Sequence, residues 1–188
     1  MQRTTNNNIN KRTDIYLIIT YYFYIMSNDI QNFPIENLVI SEIKNKKSPK
    51  LILANVPYPI GFETPIVMTP FGIDSAFGKF YIKLAFNCQL DNDFLQVLQS
   101  IEQKLMKLVP GLKSNFSNAT TISCLLDRNV EITSGVNGKP VSMFAIQKGA
   151  RFTATIELGD IYFNNTYKWI VRKIVVCTPP EENSSVPR

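Results

Sequence analysis

A chain of 188 residues that is 45% hydrophobic and 19% charged has enough apolar material for one ordinary globular core and too little length for a second full domain. Its formal net charge of +5 admits a polyanionic partner through long-range attraction but does not demand one. Histidine is absent, which removes Ser/His and Cys/His nucleophile activation and the His-based zinc hydrolases, and the three cysteines, Cys88, Cys124 and Cys177, have neither the number nor the spacing of a zinc site or a disulfide framework.

The cysteines therefore read as buried thiols in a reducing, intracellular compartment. No Gly-x-x-x-x-Gly-Lys phosphate loop occurs, and no acidic pair stands in a context that calls for acid/base chemistry, so the chain is not expected to be an enzyme.

Residues 1–25, MQRTTNNNINKRTDIYLIITYYFYI, differ from the rest, and the Asn-rich start is disordered in character. The apolar run from Ile15 to Ile25 is too short to span a bilayer, which takes about 20 apolar residues, so no membrane partner is expected. Met26 opens the hydrophilic MSNDIQNF, an ordinary start. The text before it is what AT-rich upstream DNA would give if translated. An interaction arm and a signal or anchor are the competing readings of the same segment.

Next, ENLVISEI and KLILAN are short strand patterns joined by KNKKSPK, Lys44 to Lys50, which has four lysines in seven residues. That turn is either a solvated hairpin loop or a phosphate-contacting one. VPYPIGFETP is punctuated by Pro and Gly and reads as an extended loop carrying Tyr58 and Phe62. PIVMTPFGI is a strand running into a turn.

GKFYIKLAFN, Gly78 to Asn87, shows the clearest alternation. Phe80, Ile82, Leu84 and Phe86 fall on one face, the expected core. Lys79, Tyr81, Lys83 and Ala85 fall on the other. A Lys-Tyr-Lys stripe offers a single nucleic-acid strand cations for its phosphates and a ring for a base; the competing reading is an exposed amphipathic strand with Tyr81 packing across it.

From Asp91 to Val109 the period becomes helical. Phe94, Leu95, Leu98, Ile101, Leu105 and Leu108 share a face, and Pro110-Gly111 ends it. Asp91 and Asp93 suit the positive end of the helix dipole and are read as structural. After the polar LKSNFSNA come TTISCLLD and RNVEIT, the loop SGVNGKP, and VSMFAIQ as a further short strand.

In GARFTATIEL the residues Phe152, Ala154, Ile156 and Leu158 point inward and Arg151, Thr153, Thr155 and Glu157 outward. In YKWIVRKIVV the alternation breaks, and a β-bulge near Arg172-Lys173 would reconcile it. Trp169, the single tryptophan, reads as core. Residues 179–188 form a polar, flexible tail.

The fold class is thus all-β with one inserted helix, and an OB-fold-like barrel over residues 26–178 is the expected architecture. At this point TPFGIDSAFGKFYIKLAFN, the helix DFLQVLQSIEQKLMKLV and KGARFTATIELGDIYFNNTYKWIVRKIVV resemble the single-stranded DNA-binding proteins of nucleocytoplasmic large DNA viruses, themselves similar to the podovirus phage protein with an OB-fold. The resemblance spans roughly Pro70 to Val176. It implies a cofactor-free protein that coats unwound DNA in viral replication, recombination or repair, in the host cytoplasm (viral factory) or nucleus. Single-stranded DNA, or RNA, is the implied partner, with a homodimer and replication proteins as further partners. The phage proteins end in a strongly acidic tail with a terminal aromatic residue. Here only Glu181 and Glu182 are acidic and the last residue is Arg188, so recruitment through the tail is not expected.

Phosphate neutralisation is assigned to Lys79, Lys83, Lys113, Arg151, Lys168 and Arg172, and base stacking to Tyr81 with the loop aromatics Tyr58, Phe62 and Tyr167. The alternative from another class is a structural or interaction protein, such as a minor virion component.

Overall fold

The computed structural model describes residues 30, 33–43, 50–54, 60–162 and 164–177. Residues 1–25, most of the Lys44–Lys50 turn, Tyr58 and the tail beyond Thr178 lie outside the described residues.

The strands, in chain order, are β1 (Val39–Ile43), β2 (Lys50–Ala54), β3 (Gly61–Glu63), β4 (Val67–Met68), β5 (Ile73–Ala76), β6 (Lys79–Ala85), β7 (Phe116–Asn118), β8 (Thr121–Ser134), β9 (Arg151–Leu158), β10 (Ile161–Tyr162) and β11 (Trp169–Val176), with the helix α1 (Asn92–Leu108) between β6 and β7.

A closed circuit organises them. β4 pairs with β6, β6 with β8, β8 with β11, β11 with β9, and β9 returns to β4. Only β8–β11 is parallel. β3 and β4 lie along β9 as one interrupted strand, from Gly61 opposite Glu157 to Met68 opposite Arg151. At the interruption Thr64 keeps the ladder satisfied: its N–H donates to the Ala154 carbonyl at 2.8 Å and its Oγ1 accepts from the Ala154 N–H at 2.9 Å. Counting β3/β4 as one, five strands close in the Greek-key order of an OB-fold. A separate three-stranded sheet, β1-β2-β10, is formed by the N-terminal hairpin and the β9–β11 connection.

Period-2 alternation fills the barrel. Ile82 and Leu84 from β6, Ile122 and Cys124 from β8, Phe152, Ala154, Ile156 and Leu158 from β9, and Trp169 and Val171 from β11 are all buried. The expected bulge is present, with a register shift between Val171 and Lys173 that moves the inward set to Ile174 and Val176. Across from it, Leu126 pairs with Val171 and Glu131 with Lys173, so Asp127–Val130 stand opposite Arg172 alone. That excess is why TTISCLLD and RNVEIT read as two strands although β8 runs through both.

In α1, Leu98, Ile101 and Leu105 are wholly buried and join the barrel core, and Phe94 stacks on Phe86 at 5.5 Å. Asp91 is structural, as expected: its Oδ2 accepts from the Asn87 N–H at 2.8 Å, just ahead of the helix.

Three expectations are corrected. Phe80 is 38% exposed, not core, because β6 pairs with β8 only from Tyr81 onward and the hairpin before it extends past that support. VSMFAIQ holds a 3-10 turn, Met143–Ala145, N-capped by Ser142, and no strand. Cys88 is exposed, in the turn that leads into α1.

Candidate nucleic-acid interface

The outward row of β6 is Lys79, Tyr81, Lys83 and Ala85. Strand pairing fixes what lies beside each. Tyr81 is opposite Leu125 of β8 and Asp74 of β5, and Leu125 is opposite Ile170 of β11. Tyr81, Leu125 and Ile170, each half-buried, thus form a transverse apolar band on the outside of the barrel. One step along, Lys83 is opposite Ser123. A second row runs Arg151–Met68–Ala85, across β9, β4 and β6. With strands about 4.8 Å apart, the Arg151 backbone stands roughly 10 Å from that of Ala85.

The turn between β4 and β5 adds a ring. The Thr69 hydroxyl donates to the Gly72 carbonyl and accepts from the Gly72 N–H, both at 3.1 Å, which closes the turn around Pro70-Phe71. Gly72 is required there: its φ is +80°, and a Cβ would meet the Ile146 carbonyl oxygen at 3.1 Å. Phe71 is left 67% exposed, and Lys83 Nζ lies 5.1 Å from its ring centre. Phe71 is not among the candidates assigned from the sequence, where PIVMTPFGI reads only as a strand running into a turn. The Thr-Pro-Phe-Gly turn was the sign that could have found it.

The residues singled out from the sequence divide. Lys79, Lys113 and Arg151 are exposed, and Tyr81 and Lys83 are half-buried on the outer face. Phe62 is not a loop aromatic. It is a buried β3 residue with Phe33 edge-on at 5.5 Å and Trp169 at 6.2 Å. Tyr167 is 1% exposed, so it presents no face to a base.

Instead, Tyr167 belongs to a buried polar network. Its hydroxyl donates to Glu102 Oε1, and the same carboxylate accepts from Ser114 Oγ at 2.6 Å and from the Asn115 N–H at 2.9 Å. Asn115 Nδ2 donates to the Tyr167 carbonyl at 3.2 Å, and Lys168 Nζ donates to Asn115 Oδ1 at 3.1 Å. Lys168 is therefore engaged with this network. Burial pushes the Tyr167 hydroxyl far above its ordinary pKa, so it remains a donor.

Arg172 is likewise engaged. Its guanidinium forks onto Glu157, Nε to Oε2 at 2.6 Å and Nη2 to Oε1 at 3.1 Å, and its Nη1 pairs with Asp127. The Glu157 contact is the main reason its pKa is raised. On the outward face of β9–β11–β8 Arg172 is thus held between two carboxylates, whereas the β6 side holds Lys79 and Lys83 with no carboxylate bonded to either among the described residues.

No family model matches the chain and no curated protein matches it in sequence. Solved structures are similar to it in fold. The single-stranded DNA-binding protein encoded by bacteriophage T7 matches with a TM-score of 0.45 and 13% identity, over 69% of this chain and 100% of that one. The single-stranded DNA-binding protein from bacteriophage Enc34 in complex with ssDNA matches with a TM-score of 0.47 and 10% identity, over 78% and 98%. The same phage protein in a second structure gives a TM-score of 0.48 at 8% identity.

Among the described residues no cluster of three His, Cys, Asp or Glu side chains could hold a metal, and no helix is long and apolar enough to cross a membrane.

Proposed function

We propose that the chain is a sequence-tolerant single-stranded DNA-binding protein, with the strand laid across the outer face of β6 and β8. One observation carries this: cations and rings alternate along the outer row of β6, with Lys79 and Lys83 flanking Tyr81, Leu125 beside Tyr81, and Phe71 under Lys83. Phosphates follow the lysines and Arg151, while bases stack on Tyr81 and Phe71 and rest on the apolar band. In an OB-fold, the face of the second and third barrel strands and the loop joining the first two are the surfaces that bind oligonucleotides. Here these are β6, β8 and the β4–β6 connection.

The role that follows is coating of unwound DNA in viral replication, recombination or repair, in a viral factory or the nucleus, with RNA as the competing polymer. Fluorescence titration with oligo-dT at two salt concentrations tests it. Expected is binding that weakens with salt; no binding at low salt, or none of the salt dependence, overturns it.

Exposed Phe71, Phe77 and Phe144 also fit the second reading, a structural component that packs on other subunits. It predicts stoichiometric incorporation into particles and no affinity for oligonucleotides.

A further inference from the structure

The β5–β6 hairpin carries more than its share of the binding face. Ala76 pairs with Lys79 and Ser75 with Phe80, and the two residues between, Phe77 and Gly78, have φ of +53° and +70°, the signs of a type I′ turn. Gly is at home there. Phe is not: a bulky side chain in the left-handed region is a genuine outlier, and Asn or Gly would close the same turn without strain.

Nothing among the described residues accounts for the choice. Phe77 is 101% exposed, and a Cβ on Gly78 would meet nothing within 4 Å, so the tip is bare on both sides. The ribbon also projects. Among the described residues β5 has no partner but β6, and β6 gains β8 only at Tyr81, leaving residues 76–80 as a two-stranded finger. Phe80, on the opposite face from Tyr81, is itself 38% exposed. Lys79 adjoins the tip; Asp74, opposite Tyr81, caps the Ser75 N–H at 2.7 Å and sets a negative charge on the β5 side. Phosphates are therefore favoured along the β6 strand of the finger, where Lys79 stands, and disfavoured along the β5 strand.

A projecting ribbon with an apolar ring at its apex, set two residues beyond the first lysine of a single-strand track, matches one class of ligand: the flat face of the last base pair where single-stranded DNA meets duplex. Apolar side chains inserted at base steps act in this way, unstacking them. We propose that the β5–β6 hairpin is a strand-separating pin, with Phe77 stacking on the terminal base pair of a tailed duplex while the tail occupies the β6–β8 face. This rests on the single-stranded binding proposed above and adds junction recognition to it.

The test uses the full chain with a duplex bearing an oligo-dT tail of either polarity and 2-aminopurine in the terminal pair. Wild type is expected to raise 2-aminopurine fluorescence with one tail polarity, and to bind the tailed duplex about tenfold more tightly than the free tail. Phe77→Ala is expected to lose both effects while keeping its affinity for oligo-dT, and Phe77→Trp to retain them. The inference is overturned if neither tail gives a fluorescence rise, or if Phe77→Ala gives the same rise as wild type. It is overturned too if Phe77→Ala weakens oligo-dT and junction binding equally, since Phe77 is then only another stacking ring. Absence of oligo-dT binding by wild type sinks the underlying proposal instead, and is read separately from these.

Discussion

Lys83 Nζ stands 5.1 Å from the centre of the Phe71 ring, so a turn between β4 and β5 and the middle of β6 present a cation and a π-face as one unit. The two substitutions are expected to differ in kind. Phe71→Ala removes a stacking surface and should weaken oligo-dT binding by about 1–3 kcal/mol, roughly five- to 140-fold, with the salt slope kept. Lys83→Ala removes a phosphate contact and should lower the slope of log K against log salt by about 0.7. Titrations at four salt concentrations separate them, and equal slopes in both variants would count against Lys83 as a phosphate contact.

Tyr81 and Tyr167 give a sharper contrast, because only one faces outward. Tyr81→Ala is expected to weaken oligo-dT binding by about ten- to a hundredfold as a lost platform. Tyr167→Phe deletes the hydroxyl that donates to buried Glu102, leaving that carboxylate oxygen with the Asn115 N–H alone. A cost of about 1–3 kcal/mol in stability follows, measured by urea unfolding, with affinity unchanged wherever the variant is folded. A Tyr167→Phe protein that unfolds like wild type would show that the network is dispensable.

How much of this could be read from residues alone depends on whether the deciding contact is local. The alternation of β6 and β9, the helix face and the bulge at Arg172 are properties of neighbouring residues, and all were legible. The failures share a cause. Phe62 and Tyr167 looked like loop aromatics because their partners, Trp169 in one case and Glu102 in the other, are about a hundred and 65 residues away in sequence. Phe80 kept the core phase of its strand, but periodicity does not say where the supporting sheet ends. Arg172 and Lys168 are assigned to phosphates from the sequence, whereas their hydrogen-bond partners, Glu157, Asp127 and Asn115, become neighbours only when the barrel closes. Phe77 was legible in principle, since Phe-Gly stands where a hairpin turns.

Arg172 is expected to act by neutralising carboxylates and not by touching DNA. Arg172→Ala uncovers Glu157 and Asp127 near the Tyr81–Leu125–Ile170 band. Affinity should fall while the salt slope stays as in wild type, and adding Glu157→Gln and Asp127→Asn should restore it. As the pairs are partly exposed, stability should change by no more than about 1 kcal/mol. A slope lowered by about 0.7 in Arg172→Ala would instead make it a phosphate contact.

The thiols are expected to react in the order of their exposure. Cys88 is exposed, Cys177 half-buried and Cys124 buried, with burial pushing the Cys124 thiol well above its ordinary pKa despite nearby Lys168. Since the thiolate is the reactive species, a thiol reagent at neutral pH should modify Cys88 first and Cys124 only on unfolding. Mass spectrometry of partly modified protein reads the order, and early labelling of Cys124 would contradict its place in the barrel interior.

Finally, the strained tip sets function against stability within one side chain. Phe77 occupies φ +53° with no packing to compensate, whereas Asn-Gly is the preferred pair for a type I′ turn. Phe77→Asn should therefore raise stability by about 1 kcal/mol, or roughly 2–4 °C in Tm for a domain of this size. The same variant should lose the junction signal, because an amide has little ring-like surface to offer a base pair. Calorimetry and the 2-aminopurine assay on one preparation decide it. A Phe77→Asn protein that melts below wild type would mean that Phe77 has a packing partner the bare hairpin does not show.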